Sequence, residues 1–116
     1  MSEFTIYHNP RCSKSRTTLA LLEEKGIEPE VVLYLETTPD EGEIRELLQK
    51  LGITAAQLVR RGEAAYKEAG LGPDTGEAAL IAAMAEHPKL IERPVVVRGD
   101  RAVLGRPPEN VLELID

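Results

Sequence analysis

The chain has one cysteine, Cys12, in 116 residues. That excludes an intramolecular disulfide, so any redox chemistry at Cys12 must take its second thiol from another molecule. Aromatic residues make up only 3%, with no tryptophan. The core must therefore be built from Leu, Val, Ile and Ala, and stacking on single-stranded nucleic acid lacks a platform. The two histidines lie far apart in sequence, which leaves no metal-ligand spacing. There is no block of Lys and Arg, and the formal net charge is −6. This argues against nucleic acid as a partner. A small anion would need a local cluster of cations inside an acidic molecule. No apolar stretch is long enough to span a bilayer, and Met1-Ser2-Glu3-Phe4 opens acidic, without the apolar region of a signal peptide. A cytoplasmic protein with no membrane partner is expected.

Length and a hydrophobic fraction of 42% fit one domain over residues 1–116. Phe4, Ile6 and Tyr7 predict a short first strand. Residues 13–25 read as a helix with Leu19, Leu21 and Leu22 on its apolar face and Gly26 as its stop. Val31–Leu35 is a continuous apolar run, the pattern of a buried strand. Thr38-Pro39-Asp40-Glu41 reads as a helix start capped by Thr38. Ile44, Leu47, Leu48 and Leu51 follow at helical spacing up to Gly52. Residues 54–69 read as less regular helix, and a further helix runs to about residue 86 from a cap at Asp74 or Thr75. Val95–Arg98 and Ala102–Leu104 flank Gly99-Asp100, a hairpin signal. A last helix is expected after Pro107-Pro108. The order β-α-β, helical stretch, β-β-α predicts an α/β fold: a mixed four-stranded sheet flanked by helices, with a helical segment inserted. This is the thioredoxin-like plan.

In that plan Cys12 lies just past the first strand, at the mouth of a helix, in the run Ile6-Tyr7-His8-Asn9-Pro10-Arg11-Cys12-Ser13-Lys14-Ser15-Arg16. Helix N–H donors and the positive end of the dipole stabilise a thiolate and also bind an oxyanion. Arg11, Lys14 and Arg16 are expected to lower the thiol pKa further, and His8 would add to this if protonated. A buried apolar cysteine is the plain alternative, against which the polar flanks argue. Ser15 stands where a C-x-x-C motif would hold its resolving thiol. Its hydroxyl offers a hydrogen bond to the thiolate but cannot attack a mixed disulfide; an ordinary first-turn serine is the other reading. Arg60, Arg93 and Arg106 each fall at an element boundary, where a side chain either reaches into a cleft or stays solvated. Six residues after Cys12 stands Thr18, not the arginine of the phosphatase Cys-x5-Arg motif.

Taken together, His8-Asn9-Pro10-x-Cys12-x-x-Ser15-Arg16, Leu58-Val59-Arg60, Arg93-Pro94-Val95-Val96-Val97 and Arg106-Pro107 resemble the glutaredoxin-coupled arsenate reductase family, in the family's order and over nearly the whole chain. The resemblance is to the short bacterial branch. It implies that Cys12 attacks arsenate, that Arg60, Arg93 and Arg106 hold the oxyanion, and that His8 and Ser15 tune the thiol. Arg16 belongs to the same motif, and the resemblance implies a cis peptide at Pro94 facing the cysteine. It also implies glutathione as co-substrate, glutaredoxin as partner, and no bound cofactor or metal. Ser13-Lys14 stands where the arsenate-reducing pattern has Gly-Thr, and Lys14 adds a cation. The other reading is a thiol protein of the same fold that acts on glutathione adducts or senses redox state. A C-x-x-C regulatory switch does not fit, because Asn9 and Ser15 flank Cys12 at that spacing.

Overall fold

Alternation in the first strand sets the frame. In β1 (Phe4–Tyr7), Phe4 and Ile6 are buried while Thr5 and Tyr7 are half-buried. β1 runs parallel to β2 (Glu30–Val32) and antiparallel to β3 (Val95–Arg98), which pairs antiparallel with β4 (Arg101–Leu104). The computed structural model describes residues 3–115, and the sheet order is β2-β1-β3-β4. This is the mixed, thioredoxin-like sheet that the pattern predicts. Gly99 has φ of 62° at the first position of the β3–β4 turn, the place where a type II′ hairpin takes glycine.

The described residues fall into two compact units, 3–37 with 93–115, and Thr38–Glu92. The first holds the sheet. Its α1 (Ser13–Glu24) buries Ser15, Thr18 and Leu22, one stripe at helical spacing. Leu22 joins Phe4, Ile6, Val96, Val111 and Leu114 in one apolar cluster, with Leu19 and Leu21 packed at its margin. Full burial of one such side chain stabilises by about 1.5–3 kcal/mol. The last segment departs from the expected α-helix: Pro108–Leu114 is a 3₁₀ helix. Two consecutive prolines remove N–H donors from its start, and Asn110 Nδ2 donates to Leu104 O and Arg106 O, holding it against the preceding loop.

The predicted second strand is also shorter than its apolar run. β2 ends at Val32, Tyr34–Glu36 turn, and Val31 and Leu35 are exposed. β2 is an edge strand, so its apolar residues are not enclosed on both sides.

The second unit is helical: α2 (Glu41–Leu51), α3 (Ala55–Leu58), α4 (Ala64–Glu68), α5 (Glu77–Glu86) and a 3₁₀ turn at Pro88–Leu90. Asp40, not Thr38, caps α2, its carboxylate accepting from Glu43 N at 2.8 Å. Gly52 closes the helix with φ of 69°. Gly76 rather than Asp74 or Thr75 precedes α5. Ile44, Leu47, Leu48, Leu58, Leu80, Ile81 and Met84 form the apolar interior of this unit. Among the described residues no helix is long and apolar enough to cross a membrane.

Candidate active site

Asn9 organises the loop that presents Cys12. Cys12 N donates to Asn9 O at 3.0 Å, closing a turn with Pro10 at its second position. Asn9 Oδ1 accepts from Arg11 N at 3.0 Å, and Asn9 N donates to Ser15 Oγ at 3.0 Å. Arg16 Nη1 donates to Pro10 O at 2.9 Å and braces the loop from the first turn of α1. Cys12 itself is the N-cap of α1, with φ −96° and ψ 123°, and is partly exposed. An N-cap side chain faces the N–H groups of the second and third helical residues, here Lys14 and Ser15. Those N–H groups favour the anion over the thiol.

Burial pushes the Cys12 thiol up. The Ser15 N–H, the Arg93 charge, the Lys14 N–H and a hydrogen bond from the Arg93 side chain together outweigh that. The net pKa lies below the ordinary 9.0. The charged side chain that acts on the sulfur is therefore Arg93, 81 positions downstream by residue number, rather than the sequence neighbours Arg11, Lys14 and Arg16. Arg16 acts instead on His8. Burial, then the Arg16 charge, lowers the His8 pKa below 6.5, so His8 is neutral at neutral pH and does not add a positive charge beside the thiol. His8 Nδ1 and Ser15 Oγ share a buried hydrogen bond of 2.6 Å. The Ser15 hydroxyl thus serves His8 and Asn9, and its backbone N–H serves the sulfur.

Arg93 precedes Pro94 at the start of β3, and the Arg93–Pro94 peptide is cis; Arg106–Pro107 is cis as well. Arg93 Nε and Nη1 are buried. Arg106, exposed at the exit of β4, places Nη1 3.4 Å from Arg93 O. Gly105 makes this corner possible. Its N donates to Pro94 O at 2.9 Å, and a Cβ there would lie 2.7 Å from Thr18 Oγ1 and 2.8 Å from Pro94 Cγ. Thr18 Oγ1 lies 2.8 Å from Lys14 O and 3.2 Å from Gly105 O. The sequence pattern does not by itself single out Gly105 or Thr18; their one signal is a glycine directly before Arg106-Pro107, where two backbones meet.

The first unit thus brings Cys12, His8, Ser15, Arg16, Arg93, Pro94 and Arg106 into one connected set. Arg60 belongs to the helical unit. Its N donates to Leu90 O at 2.7 Å beside the Val59–Ile91 bridge, and its guanidinium pairs with Glu63 at 2.9 Å and Glu92 at 3.5 Å. Chemically, the set around Cys12 favours the thiolate more than an ordinary cysteine setting does, next to a guanidinium suited to oxyanions. Among the described residues no His, Cys, Asp and Glu group is arranged to hold a metal.

The model of the ArsC family matches residues 7–114. The chain belongs to the ArsC family. It is 57% identical over 112 residues to the uncharacterised protein YfgD of Escherichia coli K12, which covers 95% of this chain and 94% of that protein. It is 50% identical over 113 residues to an arsenate reductase of Neisseria meningitidis serogroup A, covering 96% and 97%. Among solved structures, an arsenate reductase from Vibrio cholerae matches this ArsC-family chain with a TM-score of 0.93 at 54% identity, over 97% of each chain.

Proposed function

We propose that the protein is an arsenate reductase in which Cys12 is the nucleophile, resolved by glutathione and glutaredoxin. The observation that carries this reading is the pairing of Arg93 with the Cys12 sulfur at the α1 N-terminus. A thiolate and an arsenate anion repel each other, and a guanidinium lying beside the sulfur offsets that repulsion while stabilising charge in the transition state. The arsenate reductases among its relatives support the choice of oxyanion.

In this reading the Cys12 thiolate attacks arsenic, a sulfur–arsenic bond forms, and an arsenate oxygen leaves as water after protonation. Arg93 and Arg106 hold the remaining oxygens. Arg60 joins them as a ligand on the strength of the family resemblance. A glutathione thiolate then attacks the Cys12 sulfur. A sulfur–sulfur bond forms, the sulfur–arsenic bond breaks, and its electron pair stays on arsenic, which leaves as arsenite. A glutaredoxin thiolate attacks the glutathione sulfur of the mixed disulfide and returns Cys12 as thiolate. Ser15 stands where an internal resolving thiol would be, which is why the reductant comes from outside. Glutathione as co-substrate places the reaction in a reducing cytoplasm.

Purified protein incubated with arsenate, glutathione and glutaredoxin should release arsenite, and omission of any one component should stop repeated turnover. Release of glutathione from protein adducts with no arsenite formed would overturn the arsenate reading and favour a deglutathionylating thiol protein.

A further inference from the structure

A cleft of about 390 Å³ lies on the first unit between the loop His8–Arg11 and the turn carrying Leu33, Leu35 and Glu36. Its size falls in the range that holds small molecules. Its lining reaches Arg11, the residue before Cys12 in the same loop. Its lining is mixed. Pro10, Leu33 and Leu35 are apolar, His8 and Asn9 are polar, Arg11 is cationic, and Glu36 is anionic. Leu35 is 38% exposed, an apolar surface left open at this edge.

That mixture is wrong for arsenate. A fixed carboxylate in the lining repels a small dianion, whereas the corner at Arg93 and Arg106 offers guanidinium groups. It suits a short zwitterionic peptide with carboxylates, an ammonium group and methylene segments between them. We propose that this cleft is the docking subsite for glutathione, with Arg11 taking a carboxylate, Glu36 taking the γ-glutamyl ammonium, and the leucines lying along the methylene chain. The choice of glutathione rests on the reading in the preceding section. The subsite is new to it: the reductant would be bound on the β2 side of the Cys12 loop by residues other than the arginines assigned to the oxyanion.

The subsite is testable without arsenate. The Cys12 thiolate attacks one sulfur of glutathione disulfide; the Cys12–glutathione bond forms, the original disulfide breaks, and a glutathione thiolate leaves with the electron pair. The rate is compared with that for hydroxyethyl disulfide, which is neutral, and for cystamine, which is cationic. A change confined to the reactivity of Cys12 moves all three rates together, so the ratio of rates isolates docking. Wild-type protein is expected to prefer glutathione disulfide over both. Arg11→Ala and Glu36→Gln should each lower the ratio to hydroxyethyl disulfide by about two- to five-fold, the effect of losing one exposed ion pair. The preference should also shrink as ionic strength rises. Both side chains are exposed, so these variants should fold as wild type. A ratio unchanged in both variants overturns the subsite. So does a ratio that falls with Arg11→Ala but rises with Glu36→Gln, which would make the cleft a general anion attractor. A ratio that behaves as expected in a protein releasing no arsenite would leave the subsite standing and remove the arsenate reading; arsenite release with an unaltered ratio would do the reverse.

Discussion

Arg93 and Arg60 are chemically the same side chain, each at the edge of a β-bridge or strand, and the two units treat them in opposite ways. In the sheet unit Arg93 bears on Cys12, an anion that exists only after a proton leaves. In the helical unit Arg60 is bracketed by the carboxylates of Glu63 at 2.9 Å and Glu92 at 3.5 Å. One guanidinium is poised against a titratable partner, and the other is already largely compensated. The difference teaches that the value of an arginine for an oxyanion depends on which anions it already serves.

The largest effects should separate the two. Cys12→Ser is expected to reduce arsenate turnover by about 10³-fold or more. Arg93→Ala should lower kcat/KM by about 10²–10³-fold, the cost of losing an oxyanion donor, whereas Arg60→Ala should cost about ten-fold because its charge is shared with two carboxylates. Steady-state kinetics of the three variants checks this, and equal losses for the two arginines would erase the contrast.

The pH dependence of thiol alkylation sharpens it. The iodoacetamide rate should rise with a midpoint below 9.0 in wild type. Arg93→Ala should shift the midpoint upward, and Arg60→Ala should leave it in place. The sign carries into stability. Native Cys12 loses its proton more readily than unfolded Cys12, so its contribution is present above pH 9.0 and is lost as pH falls through the lowered native value. His8 works through burial: the unfolded chain takes up the proton first, so stability falls as pH drops below 6.5. Denaturant midpoints for wild type and Cys12→Ser between pH 5 and 10 should show both trends, the alkaline gain missing in the variant.

Two smaller effects follow. Gly105→Ala would force a methyl group against Thr18 and Pro94 and should destabilise by about 1–3 kcal/mol, read from thermal unfolding. Glu63→Gln and Glu92→Gln would release Arg60 from compensation. If Arg60 takes arsenate, each should lower the arsenate KM by about two- to five-fold; an unchanged KM would argue that Arg60 serves the helical unit alone.

Much of this was legible in the chain because it is local. The break at Pro10, the polar flanks of Cys12 and the hairpin at Gly99-Asp100 are written in consecutive residues, and the structure has each where the pattern predicts it. What was not legible depends on distant partners. Val31 and Leu35 look like core until β2 proves to be a sheet edge. Thr38 and Asp40 are both good caps, and a difference of two residues is decided by which oxygen meets Glu43 N. Arg11, Lys14 and Arg16 crowd the sequence around Cys12, yet the sulfur is served by Arg93, which reaches it only because β3 pairs with β1. A serine at position 15 suggests a hydroxyl bond to the thiolate, but the hydroxyl is taken by His8 and Asn9.

Using the nucleophile as the N-cap ties the covalent state of one sulfur to the fraying of a whole helix. When Cys12 is a thiolate, the amides of Lys14 and Ser15 face a full negative charge; when it carries glutathione, they face a neutral disulfide sulfur and lose that partner. Amide hydrogen exchange at those two positions should slow in the first state and quicken in the second. The first turn of α1 would then act as a gauge of the catalytic cycle, readable at individual amides.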